Sequence, residues 1–376
     1  MTRSSWSQPD PPDPQALLRA IAGSPRPTGS AAIENARREC AGALRALGYE
    51  VREKPFEYSA FPGNLGTPLI SGLSAMVVAL AARLGSEGSR LAPILIIAIG
   101  AAVLGLLGVW LSRHGVLSAR MMRRRGVNLE ATRGGSSPAI WLCAHLDSKS
   151  QPVPTLVRSA GLAVGLAGAV ATAALALAVA LGATLNPIAW ALAAMVTLVG
   201  AIPVVLSTVG TRSPGALDNA SGVATVIAAA GDLAAMNGVG VLITDAEELG
   251  LAGARAWSTV EGRGTVLNCD GVDDVGRVTV MHVGARPRAL AEAVARAAES
   301  TGVPYTQRRM ILGVLTDSAA FADAGMPSVT FSRGTWRTLA RVHSKRDDLA
   351  HLAGTGIAET AALMAAAARQ LGGKRS

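Results

Sequence analysis

The chain has 376 residues, a net charge of +9 and a mean hydropathy of +0.35, and half of its residues are hydrophobic. That balance is too apolar for an ordinary soluble enzyme. Only 3% of the residues are aromatic and no recognition motif appears, so a nucleic-acid partner is not expected.

Residues 1–14, with Pro9, Pro11, Pro12 and Pro14, read as a disordered tail. They lack the basic start and apolar core of a secretory signal. Two helices follow. The second covers Ser30–Leu47, with apolar residues at helical spacing and Gly48 at its end. Tyr49–Tyr58 reads as a strand.

The character then changes. Asn64–Ala82 carries no charge, and Pro93–Leu111, Ser159–Gly182 and Pro187–Thr208 are apolar runs. Each is long enough for about 30 Å of hydrocarbon at roughly 1.5 Å per residue. No ionisable residue lies inside these spans, which argues against a transporter. Gly161-xxx-Gly165 and Ala101-xxx-Gly105 are small-xxx-small pairs that would allow close helix packing. The spans arrive as two hairpins, so the rest of the chain shares one side of a lipid bilayer. Arg113, Arg120, Arg123, Arg124, Arg125, Lys149, Arg158 and Arg212 flank the spans on that side, against Arg83 and Arg90 on the other. This asymmetry predicts a multi-pass protein of the plasma (inner) membrane with the larger domain in the cytoplasm. Cys40, Cys143 and Cys269 are odd in number and widely spaced. They form neither a disulfide framework nor a CxxC zinc site, and are read as small core residues.

Strands and helices alternate through the remainder. Strands are expected at Val127–Thr132, Ala139–Ala144, Val239–Thr244, Thr265–Asn268, Val278–Val283 and Ser328–Ser332. Helices are expected at Ala220–Met236, Gly253–Val260, Arg286–Ser300, Asp317–Ala324 (capped by Asp317) and Ile357–Leu371. The alternation predicts an α/β fold with a mixed, mostly parallel central sheet sandwiched by helices. Residues 15–63, 113–158 and 210–376 are expected to form this domain, which would carry the chemistry, and 64–112 and 159–209 to be inserted transmembrane hairpins.

Six residues carry the chemistry. His145 sits in Cys143-Ala144-His145-Leu146-Asp147, Asp218 in Gly215-Ala216-Leu217-Asp218-Asn219-Ala220-Ser221-Gly222, and Glu247 beside Glu248 in Asp245-Ala246-Glu247-Glu248-Leu249-Gly250. Asp270 follows an apolar run, and His343 closes the set. Two histidines, three ligand-type carboxylates and one further carboxylate meet the needs of two zinc ions and a general base. His145, Glu247, Glu248 and Asp270 all fall just after predicted strands, where α/β sheets collect ligands. His114, His282 and His351 match nothing and are read as structural or exposed. Asp273 and Asp274 read as a turn.

These motifs, in this order, resemble the di-zinc aminopeptidases of metallopeptidase family twenty-eight. Pro25-Arg26-Pro27-Thr28-Gly29-Ser30 is similar to that family's N-terminal segment, and His343 precedes a short acidic stretch as in the family. The resemblance covers roughly 15–60 and 127–376, minus the second hairpin. It implies a zinc-exopeptidase-like fold and a ligand set. Asp218 would bridge two Zn2+, one also held by His145 and Asp270, the other by Glu248 and His343. Co2+ or Mn2+ would suit the same ligands. Glu247 would be the general base, and Asp147 would orient the His145 imidazole. The chain departs from many relatives at Ser318, where they carry histidine, and in possessing the hairpins.

The expected activity is hydrolysis of N-terminal peptide bonds in a peptide or aminoacyl substrate. Ten residues from Thr208 to Asp218 span at most about 35 Å, so the metal centre is expected close to the bilayer. The alternatives are a glutaminyl cyclase-type acyltransferase, and a membrane scaffold that keeps the fold without chemistry. The oligomeric state is left unassigned.

Overall fold

The computed structural model describes residues 13–135, 137–310 and 314–373. Most of the expected disordered tail, residues 1–12, lies outside the described residues. The chain divides into two compact units: 1–57, 125–149 and 211–376 form one, 58–124 and 150–210 the other.

The first unit opens with α1 (Pro14–Ile21), whose cap Asp13 accepts the Gln15 N–H at 3.0 Å. Helical chain therefore starts at Pro14, the last residue assigned to the tail, because proline suits the first helical position. α2 (Ala31–Ala46) is capped by Ser30, whose Oγ accepts from Ile33, and buries Ile33, Ala36, Arg37, Cys40, Ala41 and Leu44 at helical spacing. β1 (Glu50–Ser59), β2 (Arg123–Thr132), β3 (Ile140–His145), β4 (Val239–Thr244), β5 (Thr265–Val272), β6 (Arg277–His282), β7 (Tyr305–Arg309) and β8 (Ser328–Gly334) build one sheet in the order β1-β2-β4-β3-β5-β8-β6-β7. β3 pairs in parallel with β4 and β5, β5 with β8 and β6 with β7, whereas β2–β4 and β6–β8 are antiparallel. The sheet is thus mixed and flanked by helices.

Every residue of β3 and β4 is buried, as expected of central parallel strands covered on both faces. Strand alternation sorts the two layers. Ile140, Leu142 and Ala144 join a core with α1, α2, α8 (Gly222–Asp232), α10 (Arg288–Thr301) and α13 (Gly356–Gly372). Trp141 and Cys143 face the opposite layer, built from α9 (Ala252–Val260) and α11 (Asp317–Asp323). There the Trp257 ring stands edge-on to Trp141 at 4.8 Å and to Phe321 at 5.9 Å. The three cysteines are free and buried.

Three details depart from the expectations. β5 runs four residues further, to Val272, so Asp270 lies within it rather than beyond it. A register shift against β8 between Cys269 and Val272 turns the chain there. β7 was not foreseen, since its exposed or half-buried Tyr-Thr-Gln-Arg-Arg shows no apolar alternation. α12 (Trp336–Arg341) is held by a capping box between Thr335 and Thr338 rather than by an apolar stripe.

The second unit holds α3 (Thr67–Ser86), α4 (Ala92–Trp110), α5 (Val116–Ser118), α6 (Thr155–Ala180) and α7 (Pro187–Val205). Among the described residues, four helical stretches are long and apolar enough to cross a membrane: Pro62–Ser86, Ala92–Ser118, Thr155–Ala180 and Pro187–Val205. Their outward faces are apolar, with Leu95, Ile99, Val103 and Leu106 of α4 all exposed. Gly161 and Gly165 of α6 pack against Gly200 of α7, and an added Cβ at Gly161 or Gly200 would strike backbone. Gly105, the other small-xxx-small candidate, meets nothing.

Candidate metal centre

The six residues converge at the carboxyl ends of β3, β4 and β5, in two groups. His145, Glu247 and Asp270 form one; Asp218, Glu248 and His343 form the other. In each, one possible ligand atom per residue lies within 4.8 Å of the others. Asp218 stands between the groups, with Oδ1 at 3.1 Å from His145 Nε2 and Oδ2 at 3.0 Å from His343 Nε2. Glu247 Oε2 is 4.0 Å and Asp270 Oδ1 3.7 Å from the same His145 nitrogen.

Local structure aims each group. The Gly215–Gly222 motif forms the turn that enters α8. Gly215 has φ +64, and a Cβ there would meet Ser148 and the Asp218 carbonyl. Asn219 accepts from the N–H groups of Gly222 and Gly271, both at 3.0 Å, and donates to the Cys269 carbonyl at 2.9 Å. This ties the Asp218 turn to the bulged end of β5 beside Asp270. Ser221 Oγ donates to the Leu217 carbonyl at 2.7 Å and accepts the Val272 N–H at 2.8 Å. Glu247 and Glu248 open a single 3-10 turn after Ala246, a left-handed residue at φ +57. His343 is also left-handed, at φ +62, a conformation that a non-glycine residue holds only against strain.

Asp147 meets the His145 imidazole through its backbone. Its backbone carbonyl, not its carboxylate, accepts from His145 Nδ1 at 3.1 Å; the carboxylate Oδ1 is 3.6 Å from that nitrogen. The two carboxylate oxygens accept the backbone N–H groups of Glu247 at 3.0 Å and Glu248 at 3.1 Å. With Nδ1 engaged by the Asp147 carbonyl, Nε2 is the ring nitrogen that faces Asp218, Glu247 and Asp270.

Four residues beyond the set prove to be structural members of the site. Asp347, in the acidic stretch after His343, accepts the N–H groups of Leu217 at 2.5 Å and Asp218 at 3.2 Å. Arg26 is wholly buried and donates to the carbonyls of Leu146, Ile21, Pro214 and Gly215. Lys149, counted above as a membrane flank, points its ammonium at Glu248 Oε2, 2.6 Å away. Asp317 is not a cap: Thr316 holds that position, and the Asp317 carboxylate is buried against the Thr244 hydroxyl. Arg26 and Asp347 stand in segments that carry the family resemblance, Lys149 and Asp317 do not, and the partners of all four are distant in sequence. Ser318, at the departure from the family pattern, is buried in a ring of hydroxyls with Thr316 and Thr330. Asp273 does sit in the turn between β5 and β6, but is buried against Thr338 and Arg341. His282 is buried, His114 and His351 are exposed, and none joins either group.

The electrostatics ask for cations. Burial, with Glu248, Asp270 and Asp317 adding, raises the Glu247 carboxyl well above its usual range against the pull of His145. Burial raises Asp270 too, with Asp218 and Glu248 adding. Burial also pushes Asp317 and Asp347 up to about 7. For His145, burial is outweighed by Glu247, Asp147, Asp218 and Asp270, which raise it well above 6.5. At Glu248 burial is outweighed by Lys149 and His343, which draw its pKa down to about 2. Glu248 Oε1 is buried without a hydrogen-bond partner, although His343 Nε2 approaches to 3.3 Å. An orphaned carboxylate oxygen among imidazoles and carboxylates suits a divalent metal.

Comparison with known proteins bears on this geometry. Residues 203–368 match the profile of Peptidase family M28. That span holds Asp218, Glu247, Glu248, Asp270 and His343. No curated protein matches the sequence. Among solved structures, an aminopeptidase from Aneurinibacillus sp. strain AM-1 is similar at 16% identity, covering 97% of this chain and 94% of that one, with a TM-score of 0.56. A zinc aminopeptidase from Bacillus subtilis is similar at 15% identity over 94% and 93%, with a TM-score of 0.55. Porphyromonas gingivalis glutaminyl cyclase follows at 16% identity over 96% and 97%, with a TM-score of 0.54. At these identities the likeness is one of fold: a mixed α/β sheet flanked by helices, as in zinc aminopeptidases.

Proposed function

We propose that the chain is a membrane-anchored, zinc-dependent aminopeptidase carrying two metal ions. The observation that carries this is the placement of Asp218, which turns one oxygen toward His145 in the first group and the other toward His343 in its own. Asp218, with an oxygen on each side, would be shared by the two ions. His145 and Asp270 would hold one ion, Glu248 and His343 the other. Bound zinc would polarise the scissile carbonyl and acidify the attacking water. Glu247 would take that water's proton and deliver it to the leaving amine, a role suited to its raised pKa. Glu247 also lies in ligand range of His145 and Asp270, and the assignment as base rests on the family resemblance. Asp147 positions Glu247 and Glu248 through their backbone.

The four apolar helices support a multi-pass anchor. The flanking arginines support a cytoplasmic catalytic side, even with Lys149 withdrawn from their number.

The test is hydrolysis of aminoacyl chromogenic substrates by detergent-purified protein, before and after chelation and with zinc restored. Activity lost with chelator and regained with zinc is the expected result. A second reading, acyl transfer of the glutaminyl cyclase type, draws on the similarity to the Porphyromonas enzyme. Cyclisation of N-terminal glutaminyl peptides without aminopeptidase activity would replace the first reading by this one.

A further inference from the structure

We propose that Lys149 is a positioning residue that restricts Glu248 to a single-oxygen metal ligand; the inference rests on the metal-centre reading above. Lys149 Nζ lies 2.6 Å from Glu248 Oε2, with the two side chains 14% and 4% exposed. The other oxygen, Oε1, is the orphaned one that faces His343. The two oxygens of one carboxylate therefore have separate partners: Oε2 the ammonium, Oε1 the metal group.

Both partners are held from behind. Ser148, next to Lys149, donates its N–H to the Arg26 carbonyl at 3.1 Å. Its hydroxyl accepts the Arg26 N–H at 2.9 Å and donates to Ser213 at 3.0 Å. The Glu248 N–H is fixed by Asp147 Oδ2 at 3.1 Å. A charge-assisted bond of this length between anchored groups resists the carboxylate rotation that a two-oxygen grip on a metal requires. A metal held there would have a lower coordination number, which would leave a position for water or substrate.

The experiment uses full-length protein in detergent, stripped of metal and titrated with Co2+ while visible absorption is recorded. Wild type, Lys149→Met and Lys149→Arg are compared. The wild type takes up two ions. In K149M, Co2+ at the Asp218–Glu248–His343 group binds ten- to a hundredfold more weakly, the usual cost of losing such a support. Its absorption also falls, because a two-oxygen Glu248 raises the coordination number. K149R keeps both affinity and spectrum. K149A is read in the same way should K149M fail to fold. An unchanged spectrum in K149M would overturn the proposal, whatever the affinity. So would tighter binding, which would make Lys149 a repelling charge and not a support. Failure of the wild type itself to bind Co2+ would sink the metal-centre reading, and the proposal with it.

Discussion

Asp147 accepts the backbone N–H of Glu247 at 3.0 Å while its other oxygen takes that of Glu248. One carboxylate thus sets the direction in which two adjacent glutamates leave the chain. An asparagine offers one acceptor and one donor, and its NH2 would face a backbone N–H. Asp147→Asn is expected to lower zinc affinity ten- to a hundredfold. Competition against a chromogenic chelator measures this; wild-type affinity would show that the turn holds its shape unaided.

Glu247→Gln removes the proton acceptor and keeps the shape. The expected outcome is a kcat 10²–10⁴-fold lower, on the order of general acid–base contributions, with zinc content unchanged. Zinc content that falls together with activity would make Glu247 a ligand beside His145 and Asp270.

Asp218→Ala removes the carboxylate that approaches both histidines, so on the two-metal proposal bound zinc should fall at both groups. His343→Ala should lose only the ion shared with Glu248. Metal analysis of each variant after equilibration in limiting zinc separates the two patterns.

Arg26→Met would leave the carbonyls of Leu146, Ile21, Pro214 and Gly215 without their charged donor. Buried acceptors stripped in this way cost about 1–3 kcal/mol each. A loss of roughly 3–5 kcal/mol is expected after partial rehydration, read as a lower midpoint in denaturant titration. A change under about 1 kcal/mol would mean that water replaces the guanidinium without difficulty.

Asp317 supplies a pH signature. Burial raises its pKa from 3.8 to about 7, so folding favours the protonated form. Its stabilisation is complete below about pH 4 and is lost as pH rises through 7. Asp317→Asn mimics the neutral acid at every pH. In metal-free protein, the Tm of the variant relative to wild type should climb between pH 5 and pH 8. A constant difference would show that Asp317 is already ionised in the fold.

What the sequence revealed follows from where each interaction is written. β3 and β4 are legible because burial on both faces demands unbroken apolar runs, and α2 because Ser30 and its apolar stripe lie within one segment. The six donors are legible because they sit in five short segments, Glu247 and Glu248 sharing one, and the fold brings these together. Lys149 was misread as a flanking charge because its partner is Glu248, 99 positions on. Asp317 looked like a cap because helix starts favour aspartate; that it is buried under the sheet's end is a tertiary fact. The extension of β5 past Asp270 depends on its register with β8, and β7 on pairing with β6.

The Arg26 clamp has a consequence for biosynthesis. Its guanidinium joins carbonyls 120 and 189 positions downstream. The first thirty residues therefore leave the ribosome long before their acceptors exist, with both apolar helix pairs still to be made. These bonds can form only once the second pair has emerged, so nascent chains halted before Gly215 should carry an open, protease-sensitive N-terminal segment.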